Sequence, residues 1–479
     1  MTRRTAVLFA TLIVPIYVFS DRGTAWAGCT KPACFAQTRW HAGFTAVIID
    51  SPLGSIEHKL AIDLIEAQGG YVGLHSNHVL LGWIPVKADH LLIGQHGIRR
   101  IHRMPGVARP PQRPTTMTRP RSDDALFDFF EAVVSGELAS QVDKSVDTVG
   151  APLTGDAFDN PTLTNRLWVT PQALPKLPLP RPLRHLTAHP ENTNGPPWTN
   201  ESMRGEVCVA AFELESDGSI DQSIFDWQVS QFPTITTEIL NGFAWWADQA
   251  RSRGITLHIG IAGVWEPYAL QAHTGYEPLA HLASDDYLWL NDILRKQDTN
   301  PPYSTDPTMA RPGGFGASPV TPANVFAMAE QYNAYVNSHL GCQYGFTILV
   351  AADNGIGWGF PYTRTPMETQ QRSYSYYGGP VVQTTYTNQG WGPMNFHLVM
   401  WHETGHIFWA CDEYYDAPSN TGCFTCTGDC RTYGPRLGIG NANCGNPNVS
   451  GCQPHAMCIM DRFDQGLALC NITPLQIGW

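Results

Sequence analysis

The feature that most constrains this chain is an H-E-x-x-H pattern at His402, Glu403 and His406. Residues four apart on a helix leave it on one face, a turn apart, so both imidazoles can meet a single ion. Glu403 follows the first histidine directly, where a carboxylate can take a proton from a metal-activated water. Asp412 lies six residues past His406 and can swing back as a third ligand if the helix ends near Trp409. Glu413 is the alternative if the helix runs longer, and whichever does not bind can orient a histidine ligand. The bare pattern also arises by chance. Here apolar residues precede it (Phe396, Leu398, Val399 and Met400), Gly392-Pro393 offers a helix start, and a carboxylate follows. Together these point to a buried helix carrying one catalytic zinc.

Bulk composition narrows the setting. The 479 residues suffice for two or three domains, and 43% hydrophobic with 15% charged residues describes a chain able to bury a large core. A formal charge of −12 argues against nucleic acid or an anionic membrane as the main partner. Arg3 and Arg4, the apolar run Ala6 to Ser20, and Ala25-Trp26-Ala27 have the layout of an export signal, read as residues 1–27. That run is short for a membrane span, and no later stretch qualifies as one. Cleavage after Ala27 implies a secreted or periplasmic protein; lipidation at Cys29 is the alternative. Twelve cysteines, eight of them between Cys411 and Cys470, suit a disulfide framework in an exported chain. Cys29 with Cys34, and Cys208 with Cys342, are plausible pairs. Cys423, Cys426 and Cys430 also admit a reading as a second zinc site.

After a short segment, 28–43, residues 44–104 read as β-α-β-β-α-β, a small ferredoxin-like unit. Its first helix, Ser55 to Gln68, is expected to bury Ile56, Leu60, Leu64 and Ile65. Residues 105–202 are proline-rich and read as a linker, interrupted by a helix near Asp124 to Gly136. From Met203 onward strands and helices alternate, implying a mixed, twisted sheet flanked by helices. Tyr374 to Tyr386 reads as a strand broken by Gly378-Gly379-Pro380, which suits a sheet edge. An edge can accept a peptide as an added strand, and Gly379, Val381, Gln383 and Thr385 are the candidate contacts. Glu215, Asp217 and Asp221 are spaced for calcium but complete no loop, so a solvated turn is the competing reading. His258 reads as a satisfied interior histidine, and His397 as pointing away from the metal face.

The stretch from Met203 to Trp479 resembles the metzincin group of zinc metallopeptidases and, more loosely, IgA-peptidase-type secreted peptidases with D-E-Y after the helix. Metzincins carry H-E-x-x-H-x-x-G-x-x-H, with aspartate as the last residue in some members. His402, Glu403, His406 and Asp412 fall on those positions. Met460, in Cys458-Ile459-Met460-Asp461, matches the family's methionine turn, and Thr473 to Trp479 is similar to its closing helix. The resemblance implies an α/β (α+β) metzincin-like catalytic domain over 203–479 that hydrolyses peptide bonds in protein or peptide substrates, with Glu403 as general base. Tyr414 and Tyr415 are the nearest phenols that would steady an oxyanion or else pack. Trp409 departs from the pattern: glycine there eases the chain through a left-handed turn, a conformation strained for tryptophan, so a different turn is open. The layout of residues 44–104 resembles the propeptide inhibitor domains of subtilisin-type proteases, which implies a precursor with a folding aid or temporary inhibitor; an accessory domain is the alternative. A secreted zinc-containing binding module, and a zinc hydrolase of a non-peptide amide, are the competing functions.

Overall fold

The computed structural model describes residues 44–103, 121–135, 200–265, 272–281, 288–290, 292–294, 325–353, 374–375, 379–386, 393–410, 458–460, 469–470 and 472–479. Within them the protein is mixed α/β. Nine strands form one mixed sheet, and a tenth, two-residue strand pairs with the end of one of them.

The first four strands are β1 (Phe44–Ile49), β2 (Tyr71–His75), β3 (Val79–Trp83) and β4 (Ile98–His102), in spatial order β4-β1-β3-β2 and antiparallel throughout. Two helices, α1 (Ile56–Ala67) and the short α2 (Asp89–Leu92), complete the β-α-β-β-α-β pattern. Ser55 caps α1 by accepting a hydrogen bond from the His58 amide at 3.2 Å, and Gly69 takes the chain out at φ +81°. The buried face of α1 differs from the expected one: Ala61, Ile62 and Ile65 face inward with His58, while Ile56 is 70% exposed. The cause is polar. His58 Nδ1 bonds to the Ser51 carbonyl at 3.2 Å and Nε2 to His75 Nδ1 at 3.0 Å, which turns the helix to bring a histidine inside.

The sheet does not stop at β2. Leu74 and His75 pair in parallel with Ile259 and Gly260 of β6 (Leu257–Trp265), and the order continues through β5 (Gly205–Ser216), β8 (Tyr344–Ala351), β10 (Val381–Thr385) and β9 (Tyr374–Ser375). Strands β6, β5, β8 and β10 run parallel to one another. β5 is buried on both faces, so its run of apolar residues is continuous rather than alternating. Val207, Val209 and Ala211 face one core, and Cys208, Ala210, Phe212 and Leu214 the other. α3 (Arg121–Ser135), α4 (Gln231–Ser252) and α6 (Phe396–Ile407) cover the first face, and α5 (Val325–Leu340) the second. The two-residue β7 (His273–Thr274) pairs with the end of β5. Cys208 and Cys342 are disulfide-bonded, with Cα atoms 5.7 Å apart. No helix among the described residues is long and apolar enough to cross a membrane.

A polar chain crosses the β2–β6 junction. His75 Nε2 lies 3.2 Å from Glu206, which also meets His258 Nδ1 at 2.6 Å; His258 Nε2 reaches Glu66 at 2.8 Å. His258 is therefore satisfied at both nitrogens. Burial acts against its charge, but the bonds to Glu206 and Glu66 prevail and push its pKa up to about 9. His58 goes the other way: burial, reinforced by His75, pulls it down to about 3 from 6.5. The folded state thus binds a proton at His58 less readily than the unfolded chain. That contribution to stability is complete above pH 6.5 and is lost as pH falls toward 3. His58→Gln removes this titration. Between pH 6.5 and 4 the wild type should lose stability relative to the variant, by at most about 1.4 kcal/mol per pH unit. Parallel denaturant titrations read this directly, and a difference that stays constant with pH would refute the assignment.

Candidate metal centre

α6 follows a 3-10 turn at Pro393–Asn395, close to the expected start, and all twelve of its residues are buried. A helix buried all round must find partners for its polar side chains. His397 finds Glu238 on α4, with Nδ1 at 2.5 Å and its own amide at 3.1 Å from the same carboxylate oxygen. Other contacts lock the two helices together. Trp401 stacks on Trp245 with ring centroids 4.7 Å apart, and the Trp246 indole donates to the Trp401 carbonyl at 3.1 Å. Gly242 allows the close approach, since a Cβ there would lie 2.6 Å from Met400 Cβ.

His402 and His406 converge as the spacing predicts. Their Nε2 atoms are 3.0 Å apart, with the ring planes at 90°. Each Nδ1 meets a backbone carbonyl: Ile459 at 3.0 Å for His402, and Ala410 at 2.7 Å for His406. A carbonyl only accepts, so each Nδ1 carries a hydrogen and, in the neutral rings, both Nε2 lone pairs point toward one place. Two lone pairs converging in a buried site favour a cation between them, and imidazole nitrogens with oriented back sides suit zinc. Glu403, the next residue, is only 2% exposed. No group of three or more His, Cys, Asp or Glu side chains is gathered for a metal among the described residues. Asp412, Glu413, Tyr414 and Tyr415 lie outside them, as does the Cys423, Cys426 and Cys430 cluster.

The exit from α6 settles where the helix ends. Trp409 adopts φ +75°. The Trp409 amide donates to the His406 carbonyl at 2.9 Å, and the Ala410 amide to that of Gly405 at 2.9 Å. This is the paired 5→2 and 6→1 bonding of a Schellman turn, with tryptophan in the left-handed position that glycine usually fills. The turn is the one glycine would make, even though φ > 0 costs a bulky residue about 1–3 kcal/mol. Two things hold it. The Trp409 side chain is only 7% exposed, and the same turn aims the Ala410 carbonyl at His406. A buried tryptophan is worth about 3–5 kcal/mol, which exceeds the strain. Trp409→Gly and Trp409→Ala should both destabilise, with the glycine variant the more stable by about 1 kcal/mol. Thermal unfolding compares them, and an alanine variant at least as stable as the glycine one would contradict the left-handed assignment.

Below the histidines, Met460 is fully buried in a turn that follows Cys458. A Cβ on Gly405 would lie 2.6 Å from its sulfur, so Gly405 makes room for it. The neighbouring Ile459 carbonyl is the partner of His402, so this turn also orients that imidazole. The Cys458 and Cys470 sulfurs sit 3.1 and 3.3 Å from the Thr473 hydroxyl, tying the turn to α7 (Thr473–Gln476). Residues 477–479 then close on the segment just before β5: Met203 N donates to Ile477 O at 2.9 Å, and the Trp479 indole to the Met203 carbonyl.

The strand expected at the sheet edge is laid out differently. Tyr374 to Tyr386 is not one broken strand but two, and Val382 and Gln383 of β10 pair antiparallel with Ser375 and Tyr374 of β9. Over these residues β9 is the edge and β10 is one strand in. Gly379, at φ +99°, and Pro380, which supplies no amide, directly precede β10. Val381 belongs to the core on the α5 face and Val382 to that on the α6 face. Alternation therefore turns the Gln383 and Thr385 side chains away from α6.

The acids considered for calcium are occupied by their own loop. Glu215 accepts from Trp227 N at 3.0 Å and Ser223 Oγ at 3.2 Å, Asp217 from Ser219 N at 2.9 Å, and Asp221 from Glu277 N at 3.1 Å. Burial, with Asp226 and Glu277 nearby, pushes Glu215 up to about 7.

Sequence reasoning missed the two carbonyls behind the histidines, since a backbone acceptor leaves no mark in residue identity. The cue nearest to them was Gly405, the one residue of α6 without a side chain. No family model, no curated protein and no solved structure matches the chain.

Proposed function

We propose that this chain is an exported zinc-dependent endopeptidase with a metzincin-like catalytic domain. The observation that carries the reading is the pair of buried histidines whose Nδ1 atoms are held by carbonyls while their Nε2 atoms converge 3.0 Å apart. His402 and His406 would hold the ion through Nε2, and Asp412, or Glu413 in its place, would supply the third ligand. Bound zinc would supply Lewis acidity at the scissile carbonyl and toward the attacking water. Glu403 accepts the proton of that water and passes it to the leaving amine, a task suited to a buried carboxylate beside the ligand face. The Ile459 and Ala410 carbonyls keep both rings in the tautomer that leaves Nε2 bare. β9, an edge strand among the described residues, packs against α6 and suits an extended peptide added alongside it.

Metal analysis with a proteolysis assay tests the reading. The purified protein should carry one zinc per chain, cleave an unfolded protein such as casein, and stop when the ion is chelated. Zinc without cleavage of any protein would favour a binding module or a hydrolase of another amide. No zinc at all would end the proposal.

A further inference from the structure

We propose that residues 44–135 are a permanent part of the folded protein: a chain cut between residues 136 and 199 stays together as a two-chain molecule. The inference is independent of the zinc reading and rests on what joins the two parts.

Backbone pairing comes first. β2 extends the sheet from β6, and the Tyr71 hydroxyl bridges the Leu257 backbone, donating to its carbonyl at 2.8 Å and accepting from its amide at 3.3 Å. Without β2, β6 would become an open edge although Leu257, Ile259, Ile261 and Val264 are all buried, a combination that invites aggregation. Side-chain packing comes second. α3 places Leu126, Phe127, Phe129, Phe130 and Val133 in the core that also holds Phe44 and Trp83 from the first strands and Trp245 and Val264 from beyond residue 200. α3 therefore acts as a wedge shared by both parts. Gly73 marks how closely they approach, since a Cβ there would lie 2.8 Å from Ala247 Cβ on α4. Arg251 also lies over the Trp83 ring, 4.6 Å from its centroid. Third is the buried His58–His75–Glu206–His258–Glu66 chain, whose charged members would be stranded if either part left.

Position argues in the same direction. Three strands, β6, β5 and β8, separate β2 from β10, and α6 packs beside β9 and β10. Residues 44–103 thus join the sheet at the end remote from the metal-centre helix. Their role is to complete the sheet, not to cover the histidines.

The test uses the full chain with a specific protease site inserted within 136–199 and cut after purification. The two pieces should co-elute at the mass of the uncut protein, unfold together in one transition, and separate only in denaturant. A second arm introduces Gly73→Val, which should lower the denaturant concentration at which the cut pieces part. Separation under native conditions, with residues 200–479 remaining soluble and folded, would overturn the proposal. So would a folded exported protein that lacks residues 44–135.

Discussion

Glu403→Gln should retain one zinc per chain while slowing peptide hydrolysis by about 10²–10⁴-fold, the range that a positioned general base supplies. The two properties separate because they belong to different atoms. On the proposed reading, metal affinity would reside in Nε2 of His402 and His406, whose back sides are fixed by carbonyls that the substitution does not touch. Proton transfer would reside in the carboxylate, which an amide of the same shape cannot replace. The comparison is of kcat/KM at fixed zinc occupancy, with the unfolding temperature as a control for the fold. Hydrolysis at the wild-type rate by the E403Q variant would exclude Glu403 as the base. Loss of zinc along with activity would make the residue part of the metal's support.

The second large effect is expected at Gly405. In an ordinary helix, Gly→Ala stabilises by about 1 kcal/mol. Here the sign should reverse, because the new Cβ would lie 2.6 Å from Met460 Sδ and 3.2 Å from its Cε. Met460 is fully buried. Overpacking of this kind costs about 1–3 kcal/mol. On the proposed reading the displacement would also reach the metal site. Met460 adjoins Ile459, whose carbonyl orients His402, and loss of such a partner typically weakens a metal site about 10–100-fold. Met460→Ala clears the space, so Gly405→Ala should cost less in that background than alone. Additive costs in the double variant would show that Met460 is not what opposes the added methyl group.

Much of the central helix was legible because its signals are local. The i, i+4 histidines and the apolar run before them locate α6, and Gly392-Pro393 marks the 3-10 turn that leads into it. The β-α-β-β-α-β order was legible for the same reason, since each turn and helix stop is written in nearby residues such as Ser55 and Gly69. Tertiary features were not. The face of α1 follows from His58 finding partners at Ser51 and His75, which no hydrophobic period encodes. Continuity of the sheet across β2 and β6 is a backbone pairing between residues far apart in the chain, with a proline-rich interval between them that says nothing of contact. Trp409 shows a local rule overridden. Its intrinsic preference disfavours the left-handed turn, but burial of the ring and the Ala410–His406 bond outweigh that preference.

The central claim is that His402 and His406 hold a zinc ion through Nε2. X-ray absorption at the zinc edge of the purified protein tests it most directly. The account predicts two imidazole nitrogens at about 2.0–2.1 Å with oxygen completing the shell, and loss of that signal in His406→Ala. A shell of sulfur ligands at about 2.3 Å would instead place the metal among the cysteines and contradict the account.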